Sequence, residues 1–227
     1  MKKSVLIKIL SSDNAVAVTV QKSLDPSSYN HDTRFVVLKA YSDITISHLI
    51  QQDLLDNNPI SETRNYGLET PGSILKIAKE AIPAFTDNID VDLRSSFFTS
   101  STVCFETGLR SIGSSIGLTD EQILRLTSNI LSKTKLHPDY LNLFKIISYS
   151  RNAMHNGGII TDITTPITYK GKTYDLQPGA LKLFDEDFEF LFTEFISFWE
   201  DLCRCPLISV IPFIEHPYIT EKSKGNI

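Results

Sequence analysis

Apolar residues recur every three or four positions along most of this chain, the period of helices lying on a core. Phe35, Leu38, Tyr41, Thr45, His48, Leu49 and Leu55 mark a first stripe over 31–56. Asp32 or Thr33 could cap that helix, and Asn57-Asn58-Pro59 stops it. After a polar loop over 57–70, Thr70-Pro71-Gly72-Ser73 reads as a new start. Ile74, Ile77, Ala78 and Ala81 form its stripe, and Pro83 is its expected end. A longer helix is predicted over 88–116, burying Ile89, Leu93, Phe97, Val103 or Cys104, Leu109 and Ile112. Gly108, Gly113 and Gly117 imply close helix contact there, or a weakening near its end. Thr119 precedes Gln122 by three, a capping-box spacing, and opens a helix to about Ser132 through Ile123, Leu126 and Ile130. Tyr140, Leu143, Phe144, Ile147 and Met154 stripe the next helix, which Asn156-Gly157-Gly158 stops. The last helix, over 185–203, carries Phe188, Leu191 or Phe192, Phe195, Phe198 or Trp199, and Leu202.

Between the last two long helices the period changes. Two β-prone arms flank Lys170-Gly171-Lys172, which predicts a hairpin over about 163–178. Residues 1–30 stay open: Val5–Leu10 and Ala15–Val20 are β-branched enough for strands, while Ser12-Asp13-Asn14 is also a plausible cap for a helix through Leu24. The proline-bearing segment 206–227 reads as an irregular tail. The expected fold is mainly α, a helical bundle over 31–205 with a β-hairpin inserted before its final helix.

Composition changes little in this picture. With 41% hydrophobic and 22% charged residues in 227, the chain has globular composition. No apolar run approaches the ~20 residues of a membrane helix. Lys8 breaks the apolar start, so no signal peptide is expected and the protein reads as cytoplasmic. The net charge of −5 argues against coating nucleic acid without preference, so contact with RNA would be local. Cys203-Arg204-Cys205 and Cys104 lack zinc-site spacing and read as reduced thiols. Gly108 to Gly117 lacks the preceding strand and following Lys-Ser/Thr of a phosphate loop. Asp185-Glu186-Asp187 suits the positive end of a helix dipole. His48 reads as a core-edge residue, and His31, His137 and His216 as isolated structural ones.

Chemistry concentrates in Ser150-Arg151-Asn152-Ala153-Met154-His155-Asn156. Arg151 and His155, four apart, share a helical face, and Asn152 and Asn156 form a second polar pair one step round. An imidazole can move a proton near neutral pH. A guanidinium can clamp a phosphate by two parallel hydrogen bonds and stabilise its oxyanion. No carboxylate cluster or thiol lies nearby in sequence, so such chemistry would run without metal or other cofactor. These parts suit RNA cleavage by the ribose 2′-OH, giving a 2′,3′-cyclic phosphate and a 5′-OH. The same residues also read as a plain helix end, since cations in the last turn suit the dipole.

This stretch, with the hairpin Ile167–Tyr174 after it, resembles the signature of HEPN domains (higher eukaryotes and prokaryotes nucleotide-binding) in uncharacterised prokaryotic proteins. The interval between Arg and His is shorter here than in the common family pattern. The resemblance implies a helical bundle and a metal-independent endoribonuclease of a toxin or antiviral defence system. Arg151 and His155 would be its catalytic pair, supported by Asn152, with Asn156 a contact to substrate. It also implies a homodimer through the helix carrying Arg151 and His155, so that two pairs share one cleft. Some members of the family are inactive, so the alternative is a non-catalytic module that binds RNA, a nucleotide or a partner protein.

Overall fold

Burying one apolar face per helix is what organises this chain. The computed structural model describes residues 1–57, 81–156, 159–161, 165–180, 183 and 185–217. Its helices are α1 (Lys3–Lys22), α2 (Thr33–Asn57), α3 (Ala81–Ser115), α4 (Ile123–Thr134), α5 (Tyr140–His155), α6 (Asp185–Arg204) and the short α7 (Pro206–Ser209). Between α5 and α6 lie β1 (Ile159–Ile160), β2 (Ile167–Tyr169), β3 (Lys172–Tyr174) and β4 (Gly179–Ala180). The fold is mainly helical, with this small β insertion before its last long helix.

The segment left open between strands and a helix is helical: α1 lies against α2 and α6. Its buried residues, Val5, Leu6, Ile9, Asp13, Val16 and Val20, keep helical spacing. Helix α3 lies between α2 on one side and α4 and α5 on the other. Phe97, Phe98 and Phe105 of α3 interlock with Phe188, Phe192, Phe195 and Trp199 of α6, mostly edge-on. Phe144 of α5 closes the stack against Phe195 and Phe198. Each fully buried aromatic stabilises by about 1.5–3 kcal/mol. The edge-on pairings add about 0.5–1.5 kcal/mol each.

Gly108 makes the α3–α6 approach possible. A Cβ there would meet the Trp199 ring and a Val37 methyl, each at 2.5 Å. Both neighbours are fully buried and have no room to retreat. Gly108→Ala is therefore expected to cost about 1–3 kcal/mol of stability by overpacking. A lowered urea midpoint at unchanged slope checks this. Gly117, at φ +73°, ends α3 in a Schellman arrangement: the Leu118 N–H donates to Gly113 O and the Gly117 N–H to Ser114 O.

Several local expectations need correction. Pro83 does not end a helix. Helix α3 runs through it to Ser115. The rest of the helix expected from Thr70, with Ile74, Ile77 and Ala78, lies outside the described residues. Thr119 and Gln122 form no capping box. Helix α4 begins at Ile123, and Asp120 Oδ1 accepts the Gln122 N–H at 2.9 Å instead. The tail is not irregular throughout. Pro206–Ser209 form a helical turn. Beyond it Ile214 O accepts the Thr33 N–H at 2.7 Å, and Glu215 O the Thr33 hydroxyl at 2.9 Å.

The hairpin forms as expected, but over two residues rather than three. Lys170 (φ 45°) and Gly171 (φ 79°) make the turn, and Tyr169 pairs with Lys172. Two successive left-handed residues match the right-handed twist of the strands. Tyr169 donates to Glu194 of α6 at 2.8 Å, fixing the hairpin to the bundle. A second ladder, β1 with β4, closes the base of this insertion.

Among the described residues, Asp13 is a buried acid with no ion-pair partner. Asp13, on the apolar face of α1, accepts the Ser42 hydroxyl through Oδ2, and its Oδ1 has no hydrogen-bond partner. Desolvation pushes its pKa up to about 7, against the Ser42 bond, which lowers it. The folded state therefore holds a proton that the unfolded chain releases near pH 4. Stability falls as pH rises from about 4 to about 7, by at most about 1.4 kcal/mol per pH unit. Asp13→Asn should match the native chain near pH 4 and exceed its stability at pH 8. Thermal melts across that range check this.

Candidate functional site

Helix α5 buries Tyr140, Leu143, Phe144, Ile146, Ile147, Ser148, Ser150 and Ala153. The opposite arc reaches solvent. Asn152, His155 and Asn156 are exposed, and Lys145, Tyr149 and Arg151 are half-buried. The helix ends at His155, with the Asn156 N–H bonding back to Asn152 and Ala153 carbonyls. Gly157 and Gly158, read as the stop, lie outside the described residues.

Arg151 does not reach into open solvent. Its Nη1 donates to Glu106 Oε1 on α3 at 2.6 Å, and the two side chains are only 20% and 16% exposed. Such a pair holds the guanidinium in one orientation far better than a fully solvated pair would. No second partner takes its remaining N–H groups among the described residues. His155 sits one turn along the same side of α5 with its ring exposed and no hydrogen bond to a described residue.

The sequence-predicted residues thus separate into two sets. Arg151 and His155 lie one turn apart on α5, and Glu106 of α3 pairs with Arg151. Asn152 and Asn156 lie on the neighbouring stripe in solvent, and the Asn152 side chain bonds neither Arg151 nor His155 among the described residues. Glu106 is the residue that sequence reading missed. Its only local signal was an acid bordering the apolar face marked by Phe105 and Leu109.

The other groups with chemistry are accounted for structurally. Burial pushes the Cys104 thiol up to about 12 and that of Cys203 higher still, so neither is a thiolate near neutrality. His48 places Nδ1 2.9 Å from Ile44 O and packs its ring on Phe97. Asp185 pairs with Arg94 at 2.9 Å and Asp187 with Lys172 at 2.5 Å. Among the described residues, no group of three His, Cys, Asp or Glu is placed to hold a metal. No helix among them is long and apolar enough to cross a membrane. No family model matches the sequence, and neither does a curated protein or a solved structure.

Proposed function

We propose that this chain is a HEPN-type, metal-independent endoribonuclease whose working groups are Arg151, His155 and Glu106. One observation carries the reading: a guanidinium is held by a carboxylate at the edge of the core, one helical turn from a solvent-exposed imidazole. Arg151 clamps the scissile phosphate and stabilises the charge of its five-coordinate transition state. Glu106 is a positioning residue that fixes the guanidinium. His155 takes the proton of the 2′-OH as that oxygen attacks phosphorus. The P–O5′ bond then breaks, and the 5′-oxygen takes a proton from a second acid. In a homodimer formed along α5, that acid is His155 of the partner subunit. Products are a 2′,3′-cyclic phosphate and a 5′-OH. Such an activity, in the cytoplasm, suits a toxin or an antiviral effector.

The test is end-group analysis of single-stranded RNA incubated with the protein and excess chelator. Cyclic-phosphate and 5′-OH ends support the proposal, and uncut RNA refutes it. A second reading, a non-catalytic HEPN-like module binding RNA, a nucleotide or a protein, draws on the same ion pair. Glu106 occupies one donor that a phosphate would otherwise take. Binding of RNA without cleavage would favour that reading.

A further inference from the structure

Helices α1 and α2 run antiparallel, and two polar ties fix how they face each other. Near one end Lys3 Nζ pairs with Asp53 at 2.8 Å and with Asp56 at 3.4 Å. Near the other the Ser42 hydroxyl bonds Asp13 and Asn14. Ile7 stands one turn beyond Lys3 on the same stripe of α1. Between the two ties it is therefore level with Ile50 of α2, with Ile46 one turn further on. Ile46, Ile50 and Leu54 follow one another at four-residue steps, so the four side chains form a continuous row across the seam. They are 50%, 41%, 56% and 63% exposed in the order Ile7, Ile46, Ile50, Leu54. Single exposed apolar residues need no explanation, but a contiguous row marks an association surface. The exposed residues beside Ile7 on α1 are Ser4, Ser11, Asn14 and Ala15, all uncharged, as in the core of an interface.

Charge selects the occupant. Lys39, Ile46 and Asp53 recur at seven-residue steps along α2, so they share one stripe that drifts only about 20° per step. Lys39 is exposed, and the Asp53 side chain is 56% exposed although Lys3 holds one of its oxygens. A second copy laid antiparallel, with the two-fold axis at Ile46, sets Lys39 of each chain against the partner's Asp53, once on either side of the axis. Ile46 then meets its own equivalent between these two pairs. An axis midway between Ile46 and Ile50 would instead set Asp43 against the partner's Asp53, and like charges there repel. The face therefore carries both its apolar centre and the charges that choose one register.

We propose that the outer face of α1 and α2 is a self-association surface, covered by a second copy of this chain across a two-fold axis at Ile46. The inference goes beyond the ribonuclease reading and does not depend on it, because α3 lies between α2 and α5. With a contact along α5 as well, the assembly holds more than two chains.

The test is sedimentation equilibrium of the full chain over a series of concentrations. The native chain should associate, and Ile46→Glu and Ile50→Glu should each halve its mass while the helical circular-dichroism signal stays unchanged. Lys39→Glu should raise the dissociation constant about tenfold, by placing two acids against each other on both sides of the axis. Lys39→Glu combined with Asp53→Lys should restore it, a recovery that unspecific apolar adhesion would not give. The Lys3 pair lost in the double variant is exposed and contributes little. A native chain that stays monomeric overturns the proposal and leaves the face to a partner of different sequence. An oligomer that Ile46→Glu leaves intact also overturns it, and keeps the contact along α5. Association that the charge reversal fails to restore removes the two-fold axis at Ile46, and with it the proposal.

Discussion

Replacing Arg34 by alanine is expected to lower stability by about 3–5 kcal/mol, a large share of what holds a domain of this size folded. Arg34 and Asp32 are 2% and 1% exposed and face each other as two planar forks. Arg34 Nε donates to Asp32 Oδ1 at 2.9 Å, and Nη2 to Oδ2 at 2.6 Å. Nη1 donates onward to Ile208 O at 3.1 Å. Asp32 also accepts the Arg34 backbone N–H at 2.9 Å, as the cap of α2, and the Ile214 N–H at 3.2 Å. Trp199 Nε1 donates to Arg34 O at 2.9 Å. One pair thus joins the start of α2, the segment after α7, and the central tryptophan. Removing the cation leaves a buried carboxylate without its counter-charge, which is why the loss exceeds that of an ordinary hydrogen bond. Urea unfolding measures it. Arg34→Met combined with Asp32→Asn should recover part of the loss, because no unpaired charge then remains.

The second large effect is chemical. His155→Ala should slow RNA cleavage by roughly 10²–10⁴-fold, the usual contribution of a positioned proton-transfer group. Stability should stay within about 0.5 kcal/mol of the native chain, because the ring is exposed and bonds no described residue. That combination separates a catalytic histidine from a helix-end ornament. A last-turn cation acting only on the dipole would change stability slightly and cleavage not at all.

How far the sequence could be read depends on how local each signal was. Helices α5 and α6 were legible because Leu, Ile and Phe recur at helical spacing along them, although α5 also buries Ser148 and Ser150 and α6 buries Asp187. The hairpin was legible because Lys170-Gly171 can supply two left-handed residues in succession. Helix α1 was ambiguous for one reason above others: Asp13 stands in the middle of its apolar face, between Ile9 and Val16, and interrupts the pattern that would identify it. Val16, Val18 and Val20 then weigh toward a strand. Packing against α2 and α6 overrides that preference. Pro83 misled because proline commonly ends a helix, whereas α3 runs through it.

The site divides in the same way. Arg151 and His155 could be found because their spacing is local. Their electrostatic setting could not, since Glu106 lies 45 residues away and reaches Arg151 only through the α3–α5 packing. Asp32 was readable as a cap, yet its bond to Arg34 depends on burial by Trp199 and the segment after α7. In both ion pairs the sequence supplies the charges and the tertiary packing decides which of them meet.

We propose Arg151 and His155, with Glu106 orienting the first, as a working centre on α5. Initial rates of cleavage of one single-stranded RNA, with excess chelator, by the native chain, Arg151→Ala and His155→Ala test it most directly. The expected result is ready cleavage by the native chain and loss of at least a hundredfold in each variant. Equal rates for all three proteins would contradict it.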